Sequence, residues 1–185
     1  MRLSADGVPV LVHDPLTKDG RYVYRMKRGD LPKSTATLDE ALDLLAGRII
    51  NVELKSDVPS RRALARTAVA SITRARKSDV VISSFDPFLV LACAALAPKV
   101  PRGILVGERM KRLATTLPIG MRSMVVAAHL QDPLIDVSRV VRLSRAGLRT
   151  CAWTVNDVDR ARELASYGVE WLITDRPAEI IPCRK

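Results

Sequence analysis

Cysteine is scarce: three residues in 185, too few and odd in number for a scaffold stapled by disulfides. Cys93 and Cys151 sit in apolar runs and read as small core residues, while Cys183 lies in the tail. Aromatics make up only 4% of the chain, and none interleaves with a basic patch in the way that stacks nucleic-acid bases. Glycine (9) and proline (11) are too few for a collagen-like or low-complexity protein. No apolar run reaches the roughly 18 residues of a membrane-spanning helix; the longest candidate, Phe88–Ala97, is far shorter. The opening MRLSADG lacks the apolar centre of an export signal, so the chain as written reads as cytoplasmic. Neither GxGxxG nor GxxxxGK[ST] occurs, which leaves a nucleotide-binding reading without support.

What is present is ordinary for a folded protein. Apolar residues are 48% and charged residues 27%, enough for one globular domain over residues 1–185 with a sizeable core. Thirty basic residues against twenty acidic ones give a net charge of +10, which favours anionic partners: phosphates, nucleic acid or an anionic membrane surface. The arginines are scattered along helical stretches (Arg61, Arg62, Arg66, Arg74, Arg76; then Arg139, Arg142, Arg145). They read mostly as solvated helix faces, and no dedicated nucleic-acid site is expected.

Short β-branched or apolar runs alternate with helix-period segments. The runs are Val8–Val12, Ile49–Leu54, Val80–Ser84, Gly103–Val106, Met124–Ala128, Leu148–Val155 and Glu170–Thr174. The helical segments are Leu38–Leu45, Arg61–Arg74, Pro87–Leu96, Met110–Thr116, Val137–Ala146 and Val158–Tyr167. From Ile49 onward the strand starts are 31, 23, 21, 24 and 22 residues apart, one strand plus one helix plus two loops each time. Strict alternation implies a parallel sheet, since parallel neighbours need a crossover. The runs VVISS and SMVVAA read as strands buried on both faces. Thr37-Leu38-Asp39-Glu40 has the form of a capping box, Asp86-Pro87 that of a cap with proline at the first helical position, and Asn156 is placed to cap the helix at Val158. Gly47, Gly147 and Gly168 stand where helices end. A doubly wound open sheet and a (β/α) barrel both fit, with about two elements too few for a full barrel.

In either architecture chemistry gathers at the C-terminal ends of strands. The run Asn51-Val52-Glu53-Leu54-Lys55 puts Asn51, Glu53 and Lys55 on one strand face. Unpaired buried charge is costly, so two explanations stand side by side: an internal Glu53–Lys55 ion pair or an exposed edge strand, and a site for a hard cation and a phosphate. His13 ends the first run; an imidazole ordinarily titrates near 6.5 and suits proton transfer at neutral pH. His129, the only other histidine, is a weaker candidate. Trp153 reads equally as core or as a pocket wall, Asn156 as a cap or a ligand, and Asp175 as a loop residue.

Together these stretches resemble the glycerophosphodiester phosphodiesterase family. LSADGVPVLVHDPL is similar to its segment ending in His-Asp, PKSTATLDEALDLL to its capped helix, and IINVELK to its Glu-x-Lys strand. VVISSFDP, CAWTVND and WLITDRP follow in the same order. The resemblance implies a (β/α)8 barrel that hydrolyses glycerophosphodiesters to an alcohol and glycerol 3-phosphate with a divalent cation, Ca²⁺ or Mg²⁺. It assigns His13 to acid–base catalysis, Glu53 to the metal, and Lys55 and Trp153 to the substrate. The family's opening strand ending in His-Arg-Gly, its first helix and its Glu-x-Asp strand are not in this sequence. The expected fold is therefore a TIM-type barrel lacking its first strand–helix unit and most of the second strand. Its metal site is incomplete, since Asp6, Asp14 and Asp19 offer no evident replacement, and its open edge is suited to strand exchange or an oligomer. Non-catalytic binding of anions and nucleic-acid binding are the rival functions. The geometric expectation is that His13 and Glu53 front one cavity.

Overall fold

The computed structural model describes residues 1–75, 79–110 and 123–181. The chain divides into two compact units, Met1–Arg102 and Gly103–Lys185. The expected helix Met110–Thr116 and Cys183 fall outside the described residues, apart from Met110, which closes a single 3-10 turn begun at Glu108.

The first unit opens with a two-stranded antiparallel ribbon, β1 (Arg2–Leu3) and β2 (Pro9–Val10), in which Arg2 stands opposite Val10. The run Val8–Val12 is thus a two-residue antiparallel strand. The turn at Ser4–Gly7 sends the chain back on itself: the Ser4 hydroxyl donates to Asp6, and the Val8 N–H returns to Ser4 Oγ. Val10 packs with Val23, Met26 and Leu31 in a small core of its own.

Helix α1 (Leu38–Leu44) starts at the expected capping box: Glu40 N–H donates to Thr37 Oγ1 at 3.2 Å, and Glu40 Oε2 accepts the Thr37 N–H at 2.7 Å. Strand β3 (Ile49–Glu53), α2 (Arg61–Arg74), β4 (Asp79–Ser84) and α3 (Pro87–Leu96) follow. β3 and β4 pair in parallel from Ile49↔Asp79 to Glu53↔Ser83. β4 is buried on both faces beyond Asp79, as its run of apolar residues requires, but β3 alternates: Ile50 and Val52 are buried, Ile49 and Asn51 exposed. Leu38 and Leu42 from α1 meet Val52, Leu54, Leu64, Ile82, Leu89 and Cys93 in the main core. Each such large apolar side chain contributes about 1.5–3 kcal/mol by leaving water. Burial pushes the Cys93 thiol up to about 11, so it packs as a small apolar residue.

The second unit is a parallel sheet of β5 (Arg102–Val106, beginning at the first unit's last residue), β6 (Ala127–Gln131), β7 (Arg149–Trp153) and β8 (Trp171–Leu172), paired in that order. Helices α4 (Val137–Arg145), α5 (Val158–Ser166) and α6 (Pro177–Ile180) complete it. Gly147 and Gly168 end α4 and α5 at φ of 75° and 93°, a backbone region that favours glycine. β6 begins three residues later than the run Met124–Ala128 predicts. Its register with β5 and β7 starts only at Ala127, so His129 is central in the strand and buried to 1% exposure. Cys151 is buried beside it in β7, its thiol pushed up to about 12 by desolvation.

Candidate functional site

His13 is held by its backbone. Leu11 N–H donates to Ala36 C=O at 2.9 Å, and Val10 bridges to Thr37, which fixes the chain just before it. The buried Arg2 guanidinium then donates to the His13 carbonyl, from Nη2 at 2.7 Å and Nε at 3.3 Å, and ion-pairs with Asp57 in the loop after β3. The imidazole itself is free to meet a ligand, at 81% exposure. Its Nδ1 lies 2.8 Å from Asp14 Oδ1. That hydrogen bond holds the Asp14 carboxyl below the usual carboxylate range, so at neutral pH Asp14 is ionised and can only accept. Nδ1 therefore carries the hydrogen in the neutral ring, and Nε2 is the basic atom.

Glu53 and Lys55 leave the same face of the β3 segment and meet: Lys55 Nζ lies 2.8 Å from Glu53 Oε1, with exposures of only 15% and 26%. The first of the two explanations raised by the sequence is therefore present. The contact is an ion pair without the alignment of a hydrogen bond, since Oε1 has none. The backbone is pinned on two sides. Leu54 N–H donates to Ser83 C=O at 2.8 Å, and Lys55 N–H to Met1 C=O at 3.2 Å.

His13, Glu53 and Lys55 line one cleft of about 390 Å³, with Asn51 beside them and Leu38 and Ala41 of α1 and Leu45 just past it as an apolar wall. The imidazole and the acid front a common cavity. Chemically this is a shallow, mostly apolar trough with one mobile proton carrier and one ammonium whose charge is already balanced.

A divalent cation is a poor match for this donor set. Among the described residues no three His, Cys, Asp or Glu side chains stand together as metal ligands. The carboxylates near the cleft are each engaged: Glu53 with Lys55, Asp14 with His13, Asp57 with Arg2. Ca²⁺ or Mg²⁺ takes six or more oxygens, and Glu53 alone does not supply them.

Trp153, at the end of β7, belongs to the second unit. Its Nε1–H donates to the His129 carbonyl at 2.9 Å. Its ring lies by Gly107, where a Cβ would be 3.5 Å from the indole and 3.1 Å from Gln131 Oε1. Gln131 in turn accepts the Glu108 N–H at 3.0 Å. His129 is not a strand-end group: it packs edge-on to Trp171 at 6.2 Å, and its ring fills the space a side chain at Gly103 would need. Asn156 does not cap α5. Asp157 does, accepting the Arg160 N–H at 2.7 Å, because the Asn156 amide is committed elsewhere. Its Oδ1 accepts Thr174 Oγ1–H and Asp175 N–H, and its Nδ2 donates to Asp175 Oδ2 at 2.9 Å. Asp175 is thereby a loop brace. Sequence reasoning missed Arg2 and Gln131, whose partners are remote in the chain, and it missed Asp14 as an orienting group although its adjacency to His13 was visible.

The model of the Glycerophosphoryl diester phosphodiesterase family matches residues 1–179. YhdW of Bacillus subtilis (strain 168), provisionally named a glycerophosphodiester phosphodiesterase, is 25% identical over 101 residues, 55% of this chain and 42% of its own. The chain spans about half the length of the curated relatives it matches. A phosphodiesterase structure from Oleispira antarctica, in complex with the product sn-glycerol-3-phosphate, superposes with a TM-score of 0.84 at 23% identity, covering 98% of this chain and 81% of that one. The glycerophosphodiester phosphodiesterase of Thermotoga maritima gives 0.77 at 21%, covering 99% and 82%. These likenesses show the fold class, a partial (β/α)8 barrel.

Proposed function

We propose that this chain, which belongs to the glycerophosphoryl diester phosphodiesterase family, binds glycerophosphodiesters in the cleft of its first unit and hydrolyses them to an alcohol and glycerol 3-phosphate. The observation that supports this most is the shared cleft of His13, Glu53 and Lys55. A phosphodiester monoanion competes with Glu53 for the Lys55 ammonium, which then holds a non-bridging oxygen. His13 Nε2 takes the proton of the attacking oxygen as the new P–O bond forms. The same proton goes to the leaving alkoxide as the old P–O bond breaks, so protons balance over the cycle. Asp14 steadies the imidazolium formed in between. Trp153, which belongs to the second unit, is implicated by the family resemblance alone and has no role in this reading. Ca²⁺ or Mg²⁺ belongs to the resemblance too, and no step here is routed through it.

A second reading, binding without turnover, is favoured by one observation: the only carboxylate of the Glu53–Lys55 pair is neutralised by its neighbour. Phosphorus NMR of glycerophosphocholine incubated with the protein, with Mg²⁺ or Ca²⁺ and with chelator, separates the two. Hydrolysis predicts a growing glycerol 3-phosphate resonance, slowed about 10²–10⁴-fold in His13→Ala. Saturable binding with no product selects the second reading, and neither binding nor product overturns both.

A further inference from the structure

A surface helix ordinarily turns a polar side to water. Helix α3 has none to turn: from Pro87 to Pro98 the sequence holds no charged residue. Leu89, Val90 and Cys93 are buried, and the other side exposes Phe88, Leu91, Ala95 and Leu96, Phe88 to 70%. Positions 88, 91 and 95 share one stripe at helical spacing. Exposed phenyl and isobutyl groups add nothing to the core, and a contiguous apolar stripe on a folded surface marks a contact.

The surroundings of the stripe are cationic. Helix α2 packs beside α3, and the Arg61–Asp86 ion pair ties their N-terminal ends together. Arg62 and Arg66, one turn apart on the exposed side of α2, have no ion-pair partner among the described residues. Lys99 is exposed just past α3. Arg61 is already paired with the buried Asp86, which leaves Arg62, Arg66 and Lys99 as exposed cations with no ion pair among the described residues. At the far end of α3, Arg102 donates to the carbonyls of Ala97 and Pro98.

We propose that α3 and the flanking basic groups form a docking face for an anionic lipid surface. Phe88, Leu91 and Leu96 enter the headgroup layer, while Arg62, Arg66 and Lys99 meet lipid phosphates. Two arguments favour lipid over a second copy of this chain. The stripe offers four side chains, well short of the roughly 20 residues a side of a stable protein interface. A two-fold pairing would also bring two rims of the same positive charge together.

Co-sedimentation with vesicles of equimolar phosphatidylglycerol and phosphatidylcholine tests this, with pure phosphatidylcholine vesicles as the comparison. The expected result is binding to the anionic vesicles alone, lost as salt rises from about 0.1 M to about 1 M and screening tightens. Phe88→Ser with Leu91→Ser reduces binding at least about tenfold. Arg62→Glu with Arg66→Glu, which leaves the apolar stripe intact, reduces it by about 25-fold or more, at roughly fivefold per arginine. Circular dichroism confirms that both variants, altered only at exposed positions, keep their fold. Equal binding to both vesicle types, no binding to either, or binding unchanged in both variants overturns the proposal. So does a dimer in sedimentation equilibrium that the Phe88 and Leu91 substitutions abolish, which would assign α3 to a second copy.

Discussion

Asp14 matters to His13 out of proportion to its own exposed position. An exposed ion pair contributes little to stability, but a carboxylate fixed on Nδ1 selects the tautomer and leaves Nε2 as the basic atom. Asp14→Asn keeps the shape and removes the charge, so kcat is expected to fall about tenfold or more while KM stays close to its starting value, measured by initial rates on glycerophosphocholine. At Lys55 the expectation is different. Lys55→Ala removes the ammonium that would hold a phosphate oxygen, and binding of glycerol 3-phosphate is expected to weaken about tenfold or more, measured by calorimetric titration. The meeting of Glu53 and Lys55 was legible because a strand's two-residue period puts 51, 53 and 55 on one face; His13 lies in a bend three residues past β2 rather than at the strand end the sequence suggested. Arg2 was not legible: nothing local says that its guanidinium reaches the carbonyl of residue 13 and the carboxylate of residue 57.

At the scale of elements, helix starts were the most legible feature, since a cap is a local chemical signal. The Thr37 box and the Asp86-Pro87 start are both as expected. Between a cap and a ligand, the sequence left Asn156 open; Asp157 caps α5 instead, because Asn and Asp are both good caps and only the remote Thr174–Asp175 turn decides which one is spare. Thr37→Ala is expected to cost about 1 kcal/mol of stability in a denaturant titration. The caps also carry a pH dependence. Bonds from the Thr37 N–H and hydroxyl hold Glu40 below its ordinary 4.5, and bonds from Ser138 and the Arg139 N–H hold Asp136 below its ordinary 3.8. Carboxyls depressed in the folded state stabilise it above their unfolded-state values, and that contribution is lost as pH falls through the folded-state values. The contribution of these caps to the denaturation midpoint is therefore expected to be lost below about pH 4.5, so that the midpoint falls less steeply there in Glu40→Gln. Strand β6 was displaced by three residues in the sequence reading because apolar runs do not carry register. Its true position puts His129 against Gly103, where a Cβ would come 2.5 Å from Nε2. Gly103→Ala is thus expected to destabilise by about 1–3 kcal/mol through overpacking, seen as a lower midpoint.

For the molecule as a whole, the recurring strand–helix spacing made the parallel architecture legible, and the family match over residues 1–179 agrees with it. The alternating exposure of β3 was not legible, because Ile49, a good core residue by type, faces solvent at an edge that no local pattern marks. The last strand is only two residues long, a short edge of the kind that limits unwanted strand addition. Net charge pointed to anionic ligands without saying where. The proposed reading puts the ligand in the cleft of the first unit, where a phosphate would have to draw Lys55 away from Glu53. The most direct test is an NMR titration of the two histidine rings with and without saturating glycerol 3-phosphate. A phosphate held beside Lys55 raises the His13 pKa and leaves the buried His129 unmoved, and Lys55→Ala removes the effect. A His13 titration curve identical with and without the ligand would contradict the shared cleft as a site for phosphate.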